Sequence, residues 1–253
     1  MGNDDVRKLS AGLEREQVVV KNSSKQAGAD PRRRRILLTV TGVCALIALS
    51  LAMFVGKMLT PRVLSKQDLA LQGAYVFDNP RIIKPFSLLD QNAEPFTLER
   101  LQGRWSLLFF GYTYCPDICP TTLADLKKFK AMLADADLND DVQIILVSVD
   151  PARDTPEQLA RYLAYFDPEF IGVTGEFLDV HAFAANVNAA FTKVLSPGNA
   201  SYLVDHTSNI VLVNPYGHYH GFFKPQATLT DGQFDPGKLK VTFQSIDKSF
   251  EGE

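Results

Sequence analysis

The most apolar part of the chain is residues 36–56, ILLTVTGVCALIALSLAMFVG, which contain no charged residue. A helix needs about 20 apolar residues to cross the hydrocarbon core of a bilayer, so this segment predicts one transmembrane anchor. A cleaved signal peptide ending at Ala52 is the alternative interpretation. The length of the apolar run and of the leader before it favours an anchor that is retained.

The charges on either side of the anchor predict its orientation. Residues 32–35 are four consecutive arginines, whereas only Lys57 and Arg62 lie close to the other end. Positive charge flanking a membrane helix tends to stay in the cytoplasm. We therefore expect residues 1–35 to be a disordered, basic, cytoplasmic tail of a single-pass protein of the inner (cytoplasmic) membrane, with the main domain in the periplasm.

From residue 81 to the end, the hydrophobic pattern alternates between buried strands and amphipathic helices. Residues 57–80 are predicted to be a linker that leads into this domain of residues 81–253. The strands are predicted at 104–112 and 142–150, and the helices at 121–135, 155–166, 176–191 and within 236–250. This order predicts an α/β sandwich with a mixed central sheet and helices on both faces.

Local signals define the start of one of these helices and add a pair of strands. Thr155 is placed to cap the second helix of the domain, with Pro156 at its first position and Gln158 completing a capping box. The segment SNIVLVNPYGHYHGFF, residues 208–223, holds two apolar runs around the turn sequence NPYG. It predicts an antiparallel hairpin.

Charge argues against one class of partner. The chain is 46% hydrophobic and 22% charged, with a formal net charge of −3. Residues 1–35 contribute +4 and Lys57 contributes +1, which leaves −8 for the chain after Lys57. Nucleic-acid binding needs clustered cations, so an acidic domain excludes nucleic acid as the expected partner.

The candidate chemistry lies in FFGYTYCPDICPTTL, residues 109–123, which places Cys115 and Cys119 between a strand and a helix. A disulfide between them would close only a three-residue loop and would constrain the unfolded chain little. Thiols near a helix N-terminus have a lowered pKa, and the resulting thiolate is both a nucleophile and a metal ligand. The third cysteine, Cys44, lies in the apolar segment, where it needs no special explanation.

A metal site needs a further ligand, and the chain has four histidines. His181 falls on a predicted helix, where a surface or half-buried position is expected. His218 and His220 share one face of a strand, but a turn-proximal pair without a third ligand is expected to be solvated. His206 directly precedes a strong strand, which would bring it beside the cysteine loop. Two thiolates and one imidazole suit Cu(I), and also Cu(II) in tetragonal geometry, whereas structural zinc would want a fourth ligand.

Four segments in this order resemble the Sco/SenC family of copper proteins: GYTYCPDICPTTL, VSVDPARDTP, GVTG and YLVDHTSNIVLVNPYG. The resemblance covers about residues 75–250. It implies a thioredoxin-like fold and copper ligands at Cys115, Cys119 and His206. It also implies delivery of copper to the binuclear copper centre of cytochrome c oxidase subunit II, or reduction of the cysteines of that centre. A thiol reductant and other copper chaperones are then further expected partners.

The alternative function is that of a membrane-tethered thiol–disulfide oxidoreductase, with Cys115 as nucleophile and Cys119 as resolving thiol. The C-x3-C spacing, the absence of a proline directly before Ser208 and the presence of His206 count against it as the whole function. The family resemblance favours a binding protein over an enzyme. An exported binding module with a structural disulfide is the remaining interpretation.

Acidic residues near these segments have open roles. Asp205 is a candidate orienter of the His206 imidazole or a weak extra ligand, and turn capping explains it as simply. Asp117 is a candidate for tuning the thiol pKa, although a solvated loop carboxylate is the simpler interpretation. Asp150, Arg153 and Asp154 are candidates for shaping a partner surface, or for turn and helix-capping roles alone.

Overall fold

The computed structural model describes residues 31–59, 63–134, 141–195, 202–225 and 233–250. These residues divide into two compact units, one before and one after residue 60. The first unit contains helix α1, Pro31–Leu59. Its stretch Arg32–Gly56 is long and apolar enough to cross a membrane, with a mean hydropathy of 2.4 over an 18-residue window. The predicted disorder of the tail before Pro31 lies outside the described residues.

The second unit is an α/β domain. Its helices are α2 (Lys66–Leu71), the 3-10 helix η1 (Leu98–Leu101), α3 (Ile118–Ala134), α4 (Pro156–Ala164), α5 (Phe177–Asn186) and α6 (Pro236–Phe250). Its strands are β1 (Ala74–Ile82), β2 (Ser87–Asp90), β3 (Pro95–Thr97), β4 (Trp105–Gly111), β5 (Val142–Ser148), β6 (Ile171–Thr174), β7 (Phe191–Leu195), β8 (Tyr202–His206), β9 (Ile210–Val213) and β10 (His218–Phe223).

Eight of the strands form one mixed sheet in the order β1-β10-β9-β4-β5-β6-β2-β3. The central strands β4, β5 and β6 are parallel, and the strands outside them pair antiparallel. Every residue of β4 and β5 is buried, which means that both faces of the sheet centre are covered, because alternate side chains point to opposite faces. The predicted mixed α/β sandwich is confirmed.

The core ties α6 to the start of β4, the strand that leads to the cysteines. The Trp105 ring packs edge-to-face against Phe243 of α6, with ring centroids 5.8 Å apart. Its indole N–H donates to Asp247 at 2.7 Å, so the polar edge of this buried ring is satisfied. These contacts attach the start of β4 to α6.

The predicted Thr155 cap and the predicted hairpin within residues 208–223 are both found. Thr155 caps α4 by accepting from the Gln158 backbone N–H, although the Gln158 side chain donates to Thr113. Strands β9 and β10 form the predicted hairpin around residues 214–217. Gly217 has a φ of +77°, a conformation that glycine adopts without steric cost.

Two sequence predictions are corrected. Residues 57–80 were expected to be a linker, but α2 lies within this range and β1 begins there and pairs with β10 as an edge strand. The helix expected over 176–191 ends at Asn186, because Asn188 turns the chain with a φ of +55° and Phe191 opens β7. The mixed burial of β1 explains why no clear alternation marked it in the sequence.

Strands β7 and β8 form a separate two-stranded antiparallel ribbon, hereafter the β7–β8 ribbon. Phe191 pairs with His206 and Leu195 with Tyr202 across it. Most of its side chains are exposed or half-buried. The ribbon ends four residues before β9 begins and carries His206 at its last position.

Candidate metal centre

The two cysteines lie where β4 gives way to α3. Cys115 is in the connecting loop and is 9% exposed, whereas Cys119 is in the first turn of α3 and is fully buried. Gly111 ends β4 directly beneath them. A Cβ at this position would lie 3.1 Å from the Cys119 sulfur and 2.9 Å from the Phe109 ring, so only glycine leaves room for the thiol.

The β7–β8 ribbon brings the histidine to the cysteines. His206 Nε2 lies 3.6 Å from the Cys119 sulfur. The ligand atoms of Cys115, Cys119 and His206 all lie within 4.8 Å of one another, and this is the group of potential metal ligands found among the described residues. The three residues selected from the sequence are therefore brought together.

The His206 ring is held by contacts on both its polar and its apolar sides. Its Nδ1 lies 3.3 Å from the Thr207 backbone carbonyl, which can only accept, so Nδ1 carries a proton and Nε2 is the nitrogen that would bind a metal ion. The rings of Phe109 and Tyr112 pack edge-to-face against it, each with a centroid distance of 6.0 Å. The orientation of the imidazole is thus fixed by neighbours that do not bind metal.

The two thiols differ sharply in acidity. A hydrogen bond from the Cys119 thiol lowers the pKa of Cys115 to about 4; burial opposes this, and His206 and the backbone N–H groups of Asp117 and Cys119 add to it. The pKa of Cys119 is raised, first by its hydrogen bond to Cys115 and then by burial. The lowered pKa expected near the helix N-terminus is found for Cys115, although its first cause is the hydrogen bond from Cys119, and it is wrong for Cys119, because one buried pair shares one proton.

The donor set and its spacing fit a three-coordinate soft metal ion. Metal–ligand bonds of about 2.0–2.3 Å in a flat trigonal arrangement place the ligand atoms about 3.5–4 Å apart. The observed separations of 3.6 Å and up to 4.8 Å need only a small contraction to reach this geometry. Thiolates select soft ions such as Cu(I), and the imidazole suits copper equally.

The site opens on one side to a cavity of about 400 Å³. Its walls are the cysteine loop and the β7–β8 ribbon, and its lining residues include Cys115, Pro116, Ile118, Val194, Leu203 and His206. Cys115 and His206 border this opening, whereas the Cys119 sulfur lies beneath them. A second molecule can therefore approach the ligands from the cavity.

The acidic candidates of the VDPARDTP segment lie inside the domain. Asp150 and Asp154 are both fully buried. Asp154 accepts hydrogen bonds from the backbone and hydroxyl of Thr113 and from the Ser148 hydroxyl, and burial raises its pKa. Asp150 is paired with Arg153. The expectation that these carboxylates shape a partner surface is wrong, because both are buried and bonded inside the domain: Asp154 ties the β5–α4 loop to Thr113 in the cysteine loop, and Asp150 bonds Arg153 and the Tyr202 hydroxyl of β8.

The remaining candidates fall outside the ligand group. His181 is exposed on α5, as expected. His220 was expected to be solvated but is 7% exposed, packed against the Trp105 ring at 5.1 Å. Asp205 is exposed and neighbours His206 along β8, where successive side chains point to opposite faces. The carbonyl of Thr207, rather than Asp205, therefore contacts the imidazole Nδ1.

Three further candidates complete this comparison. His218 is half-buried near the Tyr216 ring, Asp117 is exposed in the cysteine loop, and Cys44 is exposed on α1.

Sequence reasoning missed Tyr112 and Phe109, which pack on His206. Their only signal was their position beside the cysteines, since ring contacts across elements leave no periodic pattern.

Fold and ligands together define a thioredoxin-like domain with a candidate Cys2His metal centre. The SCO1/SenC family model matches residues 77–232, and the chain belongs to this family. The chain is 41% identical over 137 residues to the mitochondrial protein SCO2 of Saccharomyces cerevisiae, covering 53% of this chain and 45% of the yeast protein. It is 35% identical over 181 residues to a SCO2-like protein of Rickettsia prowazekii, covering 70% and 87%.

A solved structure shares the fold over the domain. The copper-bound ScoI of Arabidopsis thaliana superimposes with a TM-score of 0.59 and is 30% identical in sequence. The match covers 66% of this chain and 99% of the Arabidopsis chain. The predicted family and the thioredoxin-like fold are confirmed.

Proposed function

We propose that this protein is a membrane-anchored copper metallochaperone that binds copper through Cys115, Cys119 and His206. The observation that carries the proposal is the convergence of two thiols and one imidazole within 4.8 Å, from a loop, a helix and a separate ribbon. The Arabidopsis relative of the same fold is a copper-bound structure. Copper is here the cargo of the protein, held for transfer to another molecule.

The site suits transfer because it combines tight binding with access. Soft thiolates bind Cu(I) strongly, but the three ligands leave the side facing the cavity open. A partner thiolate entering there replaces the ligands of this chain one at a time, so copper need not pass free into solution. We infer that the partner is the binuclear copper site of cytochrome c oxidase subunit II, as the family resemblance implies.

Copper loading requires the dithiol form of the pair. A disulfide cannot present two thiolates, so an external thiol reductant must supply two electrons and two protons whenever Cys115 and Cys119 become oxidised. Both cysteines are unpaired in the structure, the form that is competent to bind. Other copper chaperones are the proposed source of the metal.

The proposed location follows from α1. We propose that residues 36–56 anchor the protein in the inner membrane, with residues 1–35 in the cytoplasm and the copper domain in the periplasm. The four arginines at positions 32–35 support this orientation. Membrane attachment would keep the site at the surface where membrane-bound oxidases are assembled.

One observation favours a second candidate function, thiol–disulfide exchange. The pKa of Cys115 is lowered to about 4 while that of Cys119 is raised, an asymmetry typical of an attacking thiolate and a resolving thiol. In this reaction Cys115 would attack a partner disulfide and Cys119 would release the partner as a dithiol. The chain would leave the cycle as a disulfide and would need the same external reductant.

The test is copper stoichiometry on the anaerobically reduced full-length chain in detergent, with zinc as competitor. The wild type is compared with Cys115→Ser, Cys119→Ser and His206→Ala, and His218→Ala serves as the matched control because it removes a half-buried imidazole outside the site. We expect one copper per chain, with thiolate-to-copper charge transfer in the Cu(II) form that the three site substitutions alter. Absence of copper binding, with ready cycling between dithiol and disulfide, would contradict the metallochaperone proposal and favour thiol–disulfide exchange as the function.

A further inference from the structure

The ligands of the site belong to segments that no β-ladder joins. Cys115 and Cys119 follow β4 of the main sheet, whereas His206 ends the β7–β8 ribbon, which is a separate sheet. Among the described residues, the ribbon strands pair only with each other. The distance between the imidazole and the sulfurs therefore depends on side-chain contacts between the ribbon and the rest of the domain.

Arg153 lies at the junction of these segments. Its guanidinium carbon is 3.9 Å from the ring centroid of Tyr202, which opens β8. It is also 4.9 Å from the ring centroid of Tyr114 and 5.7 Å from that of Tyr112, both in the cysteine loop. A guanidinium stacks favourably on aromatic faces, so one side chain contacts both ligand-bearing segments.

The guanidinium is itself fixed by a closed set of hydrogen bonds. Its Nε donates to the Asp150 carboxylate, which is fully buried. Its terminal nitrogen donates to the Tyr202 carbonyl at 3.3 Å, and the Tyr202 hydroxyl donates to the second Asp150 oxygen at 2.7 Å. Asp150, Arg153 and Tyr202 thus hold one another. The planar fork of arginine permits this, whereas a lysine ammonium would not reproduce it.

A second contact joins the same two segments closer to the histidine. The Tyr112 hydroxyl accepts the backbone N–H of Val204, two residues before His206, at 3.2 Å. The Tyr112 ring faces both Arg153 and His206. Arg153 therefore acts on the imidazole along two routes: through Tyr202 at the start of β8 and through Tyr112 beside the ring.

We propose that Arg153 is a positioning residue that holds His206 against the cysteine pair and so presets the three-ligand site before metal enters. The expected effect of Arg153 on copper affinity rests on the proposed function. The expected effect on the position of the imidazole does not, because that position can be measured without metal. A site assembled in advance avoids the cost of ordering the ribbon during binding.

The competing explanation is that the Arg153–Asp150 pair only stabilises the fold. The chain offers a matched control in Arg100, which pairs with Asp90 at 3.4 Å. Asp90 is 3% exposed, so this is also an ion pair with a buried carboxylate, and its residues lie in β2 and η1, which contribute nothing to the site. Loss of either arginine removes the cation from beside a buried carboxylate. Of the two arginines, only Arg153 contacts the β7–β8 ribbon and the cysteine loop.

The experiment compares the wild-type full-length chain in detergent with Arg153→Met, Arg153→Lys and Arg100→Met. In the reduced, metal-free protein, nuclear Overhauser effects between the His206 ring protons and the Phe109 and Tyr112 rings report the position of the imidazole. We expect Arg153→Met to lose them, Arg153→Lys to restore them in part and Arg100→Met to keep them. Copper affinity should then fall about 10–100-fold in Arg153→Met and stay unchanged in Arg100→Met.

The outcomes separate the two proposals. Unchanged ring contacts in a folded Arg153→Met protein overturn the positioning role, whatever the copper result. If the wild type binds no copper, the proposed function fails, and the metal-free ring contacts still decide the role of Arg153. If Arg153→Met does not fold, Arg153→Lys decides, since it keeps a cation beside Asp150 but lacks the planar fork that stacks on the Tyr202 ring. His206 contacts weaker than those of the wild type in that variant support the proposal, and wild-type contacts overturn it.

Discussion

The Cys119 sulfur lies 3.6 Å from His206 Nε2, although 87 positions separate the two residues in the chain. Cys119 is fixed from below, since it is fully buried in the first turn of α3 and packs over Gly111. His206 comes from above on the β7–β8 ribbon. The core of the main domain thus holds the cysteine, whereas the separate ribbon and the ring contacts with Phe109 and Tyr112 hold the histidine.

Removal of the imidazole should separate the two candidate functions. In His206→Ala, copper keeps two thiolates but loses its third ligand, so we expect the affinity to fall by more than the roughly 10–100-fold typical of outer partners. The cysteine pair should still cycle between dithiol and disulfide, since the imidazole takes no part in electron transfer between sulfurs. Competition titration with a copper chelator and a thiol-exchange assay measure the two properties.

The control for this prediction is His218→Ala, which should match the wild type in both assays. Loss of copper binding and of thiol exchange together in a folded His206→Ala protein would contradict the division of roles. Circular dichroism and thermal unfolding establish that each variant is folded.

Alkylation of Cys115 should be nearly independent of pH. Its pKa is lowered to about 4, so the thiolate fraction is saturated above about pH 5.5 and falls only as the pH drops through the lowered pKa. We expect iodoacetamide to modify Cys115 at a nearly constant rate between pH 6 and 8. Mass spectrometry of the reduced, metal-free protein measures this rate for each cysteine.

The matched variant for this prediction is Cys119→Ala. The Cys119 thiol supplies the largest interaction that lowers the Cys115 pKa, so its loss should raise that pKa and make alkylation accelerate with pH. A wild-type rate that already climbs roughly tenfold per pH unit between 6 and 8 would show an ordinary thiol and refute the prediction.

Elements with strong local signals could be predicted from the sequence. The uninterrupted apolar run of β4, the Thr155 cap of α4 and the NPYG turn between β9 and β10 each depend on a few neighbouring residues. The proximity of His206 to the cysteines also followed, because its segment precedes a strand that pairs beside β4.

The β7–β8 ribbon and the contacts around it could not be predicted in the same way. The residues of β7 are exposed or half-buried throughout, so no alternation distinguishes them from a loop. The contact between Arg153 and Tyr202 joins residues from different elements and leaves no local pattern. The opposite pKa shifts of the thiols follow from their mutual geometry, which sequence position near a helix cannot supply.

The proposed orientation of the membrane anchor predicts the behaviour of reporter fusions. An alkaline phosphatase, which is active only after export, should be active when joined after residue 253 and inactive when joined after residue 30. A cytoplasmic fluorescent reporter should give the opposite pattern. Replacement of the arginines at positions 32–35 by alanine should weaken or invert the preference, because these charges set the orientation. Export of both termini would contradict the anchor.

Gly111→Ala should damage the site more than the fold. The added Cβ would lie 3.1 Å from the Cys119 sulfur, so the sulfur must shift and the ligand triangle opens. Gly172→Ala is the matched control, since its Cβ would meet Leu159 and Leu163 at 2.9 Å, away from the cysteines. We expect urea unfolding to show a loss of about 1–3 kcal/mol in both variants. Only Gly111→Ala should alter the Cu(II) absorption and weaken copper binding; equal effects of the two variants on copper would refute this role of Gly111.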